Sequence, residues 1–280
     1  VAMDYIGMIF HGHSITHIDS LAHFFWNGKM YNNQPAYLIS TSLGATTESV
    51  DLASQGIVSR GILIDVPKVR NIPWLERGEG VLPEDIIKAE EKFGFKIQEG
   101  DVLLIRTGQY KRRLDEGPVN PSVEGSSACH PACLPLFHER KIAMLGSDTG
   151  NDVLPPLYPE VNMPIHQIGI VAMGLWILDN ANLEDLSEAC EDFQRWEFFI
   201  NINPLSIILS PKEEDQALKR LQLFADKKNF QITGSTVYDK LGNKTEIRFS
   251  NIKTNIDIPK RTFQFQAPPN TEVLDYTKGP

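Results

Sequence analysis

Cysteine is scarce in this chain of 280 residues, basic charge is in deficit, and no long apolar run occurs. Cys129, Cys133 and Cys190 make an odd count without framework spacing, which argues against a disulfide scaffold and for a reducing compartment, the cytoplasm. Cys129-His130-Pro131-Ala132-Cys133 has the outline of half a zinc site, but no second Cys/His pair completes it, so buried, inert thiols are the better reading. The net charge of -9, with no Lys/Arg cluster, argues against a nucleic-acid surface. No apolar stretch approaches bilayer length, so no transmembrane segment is expected. The first residues lack the basic-then-apolar order of a secretory leader. Val1-Ala2-Met3-Asp4-Tyr5 leads at once into a strand-like run, which reads as a truncated start.

Histidine and cysteine are both missing from residue 204 onward. Residues 204–280 hold 12 Lys/Arg against 9 Asp/Glu, whereas the first 203 hold 15 against 27. Such a composition shift predicts a boundary near residue 205, dividing a domain over 1–205 from a segment over 206–280.

Four of the seven histidines, His11, His13, His17 and His23, fall within 13 residues, together with Asp19. Packing alone rarely asks for so many imidazoles, the usual metal ligands and general bases near neutral pH. Residues 13, 17, 19 and 23 share one parity, so a strand would turn them to one face. Four strand steps span about 13 Å, however, too far for His13 and His17 to share an ion. A helix would join those two and swing Asp19 away. A turn over Gly12–Ile15 followed by extended Thr16–Asp19 satisfies both demands. His-x3-His-x-Asp is then a three-ligand nitrogen and oxygen set, suited to zinc or manganese with positions left open.

Elsewhere, Gly61–Val66, Val102–Arg106 and Ile142–Gly146 read as short buried strands. Pro83–Gly94 carries proline at its start, acids in its first turn and glycine at its end, the marks of a helix. Asn120–Cys133 reads as loop, Ile168–Leu178 is the most apolar run, and Ser187–Phe199 has helical character. Residues 230–238, 245–252 and 261–266 alternate apolar and polar as in an antiparallel meander, while Leu218–Phe224 fits helix or strand. The first part is therefore mixed α/β.

His13-Ser14-Ile15-Thr16-His17-Ile18-Asp19-Ser20-Leu21-Ala22-His23 resembles His-x-Gly-Thr-His-x-Asp-x-Pro-x-His, the motif of the cyclase family of metal-dependent hydrolases. All four chemical residues match, with Ile15 and Leu21 replacing the family's Gly and Pro. Arg60–Asp65, Gly100–Gly108, Gly146–Thr149, Pro164–His166 and Arg195–Phe198 continue the likeness, so it covers about residues 1–205. It implies a swivelling β/β/α fold, a homo-oligomer, and hydrolysis of a small amide, lactam or lactone, with N-formylkynurenine or another aryl amide the favoured substrate. By position His13, His17 and Asp19 are implied as metal ligands and His23 as general base or acid. His166 matches the histidine of the second site in two-metal members. Asp179 stands where those have Glu, a shorter acid at altered spacing, so one or two zinc or manganese ions are both compatible.

Asp239–Thr245, Arg248–Lys253 and Phe263–Pro269 resemble the end of a LolA-type lipoprotein carrier domain. That likeness implies strands of a partial half-barrel, an acyl chain as ligand, and a periplasmic location. The competing function is thus an acyl-chain-binding module in the tail with the first part as scaffold. Bland readings remain for single residues: His166 as a core histidine, Asp179 as the end of a buried run, and Asp148-Thr149 as a turn. Phe24, Phe25, Trp26 and Trp176 suit a core, although those beside His23 could stack on an aromatic substrate.

Overall fold

The computed structural model describes residues 11–203, 206–209, 218–225, 232–239, 241 and 243–250. The chain divides into two compact units, Val1–Ser206 and Ile207–Pro280. The first is built on a six-stranded mixed sheet of β1 (His17–Asp19), β2 (Ile57–Asp65), β3 (Val102–Arg106), β4 (Met144–Ser147), β5 (Trp176–Asp179) and β6 (Glu197–Ile202). Their spatial order is β1-β5-β4-β3-β2-β6. The inner four run parallel, and β1 and β6 add antiparallel edges.

Parallel strands are covered on both faces and therefore read as unbroken apolar runs. Ile62, Leu63, Ile64, Val102, Leu103 and Ile105 are accordingly all 0% exposed. The strand expected over Gly61–Val66 is β2, which begins earlier, at Ile57, and ends one residue short of Val66. The Asp65 carboxylate accepts the Lys68 amide and caps α1 (Val66–Arg70), with Pro67 in its first turn.

The helix predicted over Pro83–Gly94 is present as α2 (Pro83–Phe93), burying Ile86 and Ala89 and closed by Gly94. Asp85 holds its start by accepting from the Leu82 amide and pairing with Arg70. α3 (Gln109–Glu116) follows β3, and α4 (Leu134–Arg140) precedes β4.

One apolar run gains its elements, and one local expectation gives way. The run Ile168–Leu178, assigned to no element by its sequence, is divided between α5 (Pro164–Val171) and β5, because apolarity alone does not separate their periods. The helical reading of Ser187–Phe199 holds only for α6 (Glu184–Asp192). Phe198 and Phe199 belong instead to edge strand β6, where Phe198, Ile200 and Ile202 pack on the core and Phe199 and Asn201 face out. That alternation of period two wins once β2 offers its free edge. A buried network ties the layers: Arg106 pairs with Asp65 and Glu184, and Ser187 donates to Asp65.

In the second unit β7 (Ser206–Leu209), β8 (Leu218–Ala225), β9 (Ile232–Asp239) and β10 (Lys244–Arg248) form one sheet in that order. β8–β9 and β9–β10 are antiparallel, as a meander requires. The ambiguous Leu218–Phe224 is strand. The alternation at 261–266 lies outside the described residues. Among the described residues no helix is long and apolar enough to cross a membrane.

Candidate metal centre

The histidine-rich segment bends over residues 11–15 and becomes extended at His17–Asp19. As β1 it lies antiparallel to β5, with His17 opposite Asp179. The cluster therefore forms at the carboxyl end of a parallel strand, where α/β sheets commonly place their ligands. His17 and Asp19, two residues apart on a strand, turn to the same side. His166 arrives on the first turn of α5.

Asp19 is the hub. It is 0% exposed, and its Oδ1 lies 3.0 Å from His11 Nδ1 and 3.6 Å from both His17 Nε2 and His23 Nε2. Its Oδ2 lies 3.0 Å from His166 Nε2. Yet neither oxygen receives a hydrogen bond within the protein. The far sides of two rings supply the reason. His17 Nδ1 is 2.7 Å from the Ile15 carbonyl, and His166 Nδ1 is 2.5 Å from Asp152 Oδ2. Each neutral ring therefore carries its proton on Nδ1 and presents the Nε2 lone pair to the carboxylate. Lone pair facing lone pair is repulsive unless a cation lies between them.

Two overlapping donor sets result, His11/His17/Asp19 and Asp19/His166/Asp179, each with its ligand atoms within 4.8 Å of one another. Neutral imidazole nitrogen with carboxylate oxygen is a donor chemistry that fits zinc or manganese. The cation demand is strongest at His166. Burial opposes its charge, but the carboxylates of Asp152, Asp179 and Asp19 around the ring overcome burial and raise its pKa well above the usual histidine value. A proton or a metal ion satisfies the same electrostatic need.

One loop after β4 supports the cluster. Asp148 takes hydrogen bonds from the Thr107 amide and hydroxyl and from the Gly108 amide, anchoring the start of α3. At Gly150 a Cβ would stand 3.2 Å from His13 Nδ1 and 3.6 Å from Asp179 Oδ2, so glycine permits the close approach there. Asn151 donates to Asp179 Oδ1 at 2.7 Å. Asp152 orients His166 and also accepts the Ile165 and His166 amides at the start of α5. Just after β5, Asn180 donates to the Gly12 and Ile15 carbonyls and accepts from the Thr16 hydroxyl through its own carbonyl, pinning the histidine bend.

Of the residues singled out by sequence, His17, Asp19, His166 and Asp179 converge. His23 lies beside them, and burial pushes its pKa down to about 4 although Asp19 opposes the shift. His13 belongs to neither donor set; it is half-buried against Gly150. His11, left without a role by spacing arguments, stacks on His23 at 3.9 Å and contacts Asp19. Asn151, Asp152 and Asn180 carry no local sequence signal, since their roles come from the β4 and β5 termini meeting in space. Phe24 packs against the His23 and His166 rings, whereas Phe25 and Trp26 are exposed. Cys129, Cys133 and Cys190 are free and buried, apart from the cluster.

A family model described as "Putative cyclase" matches residues 5–151, and one described as "Outer membrane lipoprotein carrier protein LolA" matches residues 201–266. A solved structure of a novel cyclase superposes with a TM-score of 0.61 at 24% identity, covering 75% of this chain and 65% of its own. That likeness establishes the fold of the first unit. An isatin hydrolase bound to thioisatinate, a product analogue, superposes at a TM-score of 0.45 and 18% identity, covering 80% and 71%. An outer-membrane lipoprotein carrier protein of Francisella tularensis subsp. tularensis (strain WY96-3418) is 32% identical over 130 residues, which cover 39% of this chain and 62% of that protein. The chain thus spans less than two thirds of that carrier and of the cyclase structure.

Proposed function

The chain belongs to the cyclase family, and from that premise we propose that it is a metal-dependent hydrolase of small amides, lactams or lactones, with aryl formamides of the N-formylkynurenine kind as first candidates. The observation that carries this reading is the Asp19 carboxylate, fully buried among four imidazoles, two of which, His17 and His166, have their far sides tied and turn Nε2 toward it. His17, Asp19, His166 and Asp179, with His11 at the edge of the first set, would hold one ion or two sharing Asp19. A bound divalent ion acidifies water and polarises a carbonyl.

The remaining work falls to the chain. His23 is kept neutral at physiological pH by burial, so its imidazole is free to accept a proton. Its ring is 26% exposed, giving it a path to a reactant, and the parallel His11 ring fixes its plane. It takes a proton as the nucleophile forms and returns it to the departing nitrogen or oxygen. Asp152 and the Ile15 carbonyl hold His166 and His17 in the ligating tautomer. Phe24 walls the cluster on its apolar side and favours an aromatic acyl or amine group.

The test is His17→Ala in the purified chain, with metal content by mass spectrometry and hydrolysis of N-formylkynurenine as joint readouts. Loss of both is expected; retention of both would refute the reading. A homo-oligomer in the cytoplasm is the setting this reading favours. For the second unit the LolA likeness favours a bound acyl chain, which lipid extraction and mass spectrometry of the native protein would detect.

A further inference from the structure

The cavity beside the metal centre has on its wall a cation with no carboxylate partner among the described residues. Its lining includes His13, Arg113, Ser126, Thr149, Gly150 and Asn180. Gly150 on its wall adjoins the cluster: a Cβ there would stand 3.6 Å from Asp179 Oδ2 and 3.2 Å from His13 Nδ1. Arg113 is half-buried near the end of α3.

Six other arginines of this unit, Arg60, Arg70, Arg77, Arg106, Arg112 and Arg140, each have a carboxylate within 3.3 Å. Arg113 has none among the described residues, and Arg195, also without one, is exposed rather than in a cavity. The Arg113 guanidinium carries five donors, of which one reaches the His13 carbonyl at 3.3 Å. Its plane sits over the Tyr110 ring, 5.0 Å from the centroid, which restricts its orientation.

A half-desolvated guanidinium with spare donors calls for an anion, and its fork matches a carboxylate two-to-two. The position is fixed. Asp148 clamps the first residues of α3 to the same loop that carries Gly150, Asn151 and Asp152. Asp148 itself lines the cavity, but its oxygens are committed to Thr107 and Gly108, and burial raises its pKa toward the neutral form. The wall is therefore less hostile to an anion than its composition suggests.

Resting on the hydrolase reading, we propose that Arg113 is the anion-recognising residue of the substrate site and selects amides or lactones that also bear a carboxylate. The proposal is tested with the full zinc-loaded chain by calorimetric titration of anthranilate and of its methyl ester, which lacks the negative charge. Wild type is expected to bind anthranilate more tightly than the ester. Arg113→Ala is expected to weaken anthranilate by about 10- to 100-fold, the range for a charge-assisted pair. Arg113→Lys, which keeps the charge without the fork, is expected to lie between them. Equal affinity of wild type for the two ligands, or anthranilate binding unmoved by Arg113→Ala, would overturn it. Metal content and thermal unfolding are measured on each variant, and Arg113→Gln replaces Arg113→Ala if the latter loses either.

A parallel kinetic arm compares N-formylanthranilate with formanilide. The ratio of their kcat/KM values should fall in Arg113→Ala by the same factor. No hydrolysis with Arg113-dependent binding intact removes the proposed reaction and leaves the anion site. Hydrolysis without Arg113 dependence removes the anion site and leaves the reaction.

Discussion

Replacing Asp152 by asparagine should separate metal affinity from fold. Asp152 touches no proposed reacting group; its Oδ2 lies 2.5 Å from His166 Nδ1, and its two oxygens also take the Ile165 and His166 amides at 2.8 and 3.2 Å. Asparagine has one oxygen; placed where Oδ1 was, it keeps the Ile165 amide and turns its NH2 toward His166 Nδ1, giving up the bond to the His166 amide. The ring then moves its proton to Nε2, and an N–H replaces the lone pair that faces Asp19 and Asp179. Loss of such an orienting partner costs about 10- to 100-fold in metal affinity, or roughly 1.4–2.7 kcal/mol. Because the helix start keeps an acceptor, stability should fall by only about 1 kcal/mol. Asp152→Ala orphans both amides as well and should cost roughly 2–4 kcal/mol. Zinc affinity is read by competition with a chromogenic chelator, and stability by urea unfolding of the metal-free chain. A zinc Kd for Asp152→Asn within twofold of wild type would refute the tautomer argument.

Two further outcomes are expected. Burial opposes the charges of Asp85 and Glu90, but Arg70 holds the first and Lys96, the Ile97 amide and Arg140 hold the second, so both folded pKa values lie below their unfolded ones. Their stabilisation is therefore present above about pH 4–5 and lost as the pH falls through the folded values. The urea midpoint should drop between pH 5 and pH 3, by less in Asp85→Asn, and an unchanged midpoint would contradict this. Gly108 has φ +83°, and a Cβ there would stand 2.8 Å from Trp74 Cβ. Gly108→Ala should thus cost about 1–3 kcal/mol, lowering Tm by several degrees, and an unaltered Tm would show that the helix start can shift.

The elements most legible in the sequence were those whose reasons are local. The Pro83–Phe93 helix announces its ends through proline, acids and glycine, and residues 102–105 are apolar throughout because both faces of the strand are covered. The segment from His13 to His23 was legible as chemistry, and the bend its spacing demands is present at residues 11–15. What spacing could not supply is which histidine faces Asp19. His11 does so because Asn180, 168 residues away from Gly12, holds the bend by its carbonyls. Asp152 was illegible for the same reason, since its partner His166 lies 14 residues on, across a proline-containing loop. Edge strand β6 was misread because its helical periodicity is local, whereas its pairing with β2 is not.

The loop from Asp148 to Asp152 gives this protein an uneven capacity for change. Asp148, Asn151 and Asp152, within five residues, hold α3, the β5 carboxylate and the α5 histidine, so inserting or deleting one residue between them would break their common register. Length variation is closed to this stretch. Side-chain exchange at Arg113 is not, because that residue hangs from a helix whose root, rather than its tip, is fastened. New preferences can therefore be reached by single substitutions along α3 while the chemistry stays intact, which makes that helix the natural target for redesign.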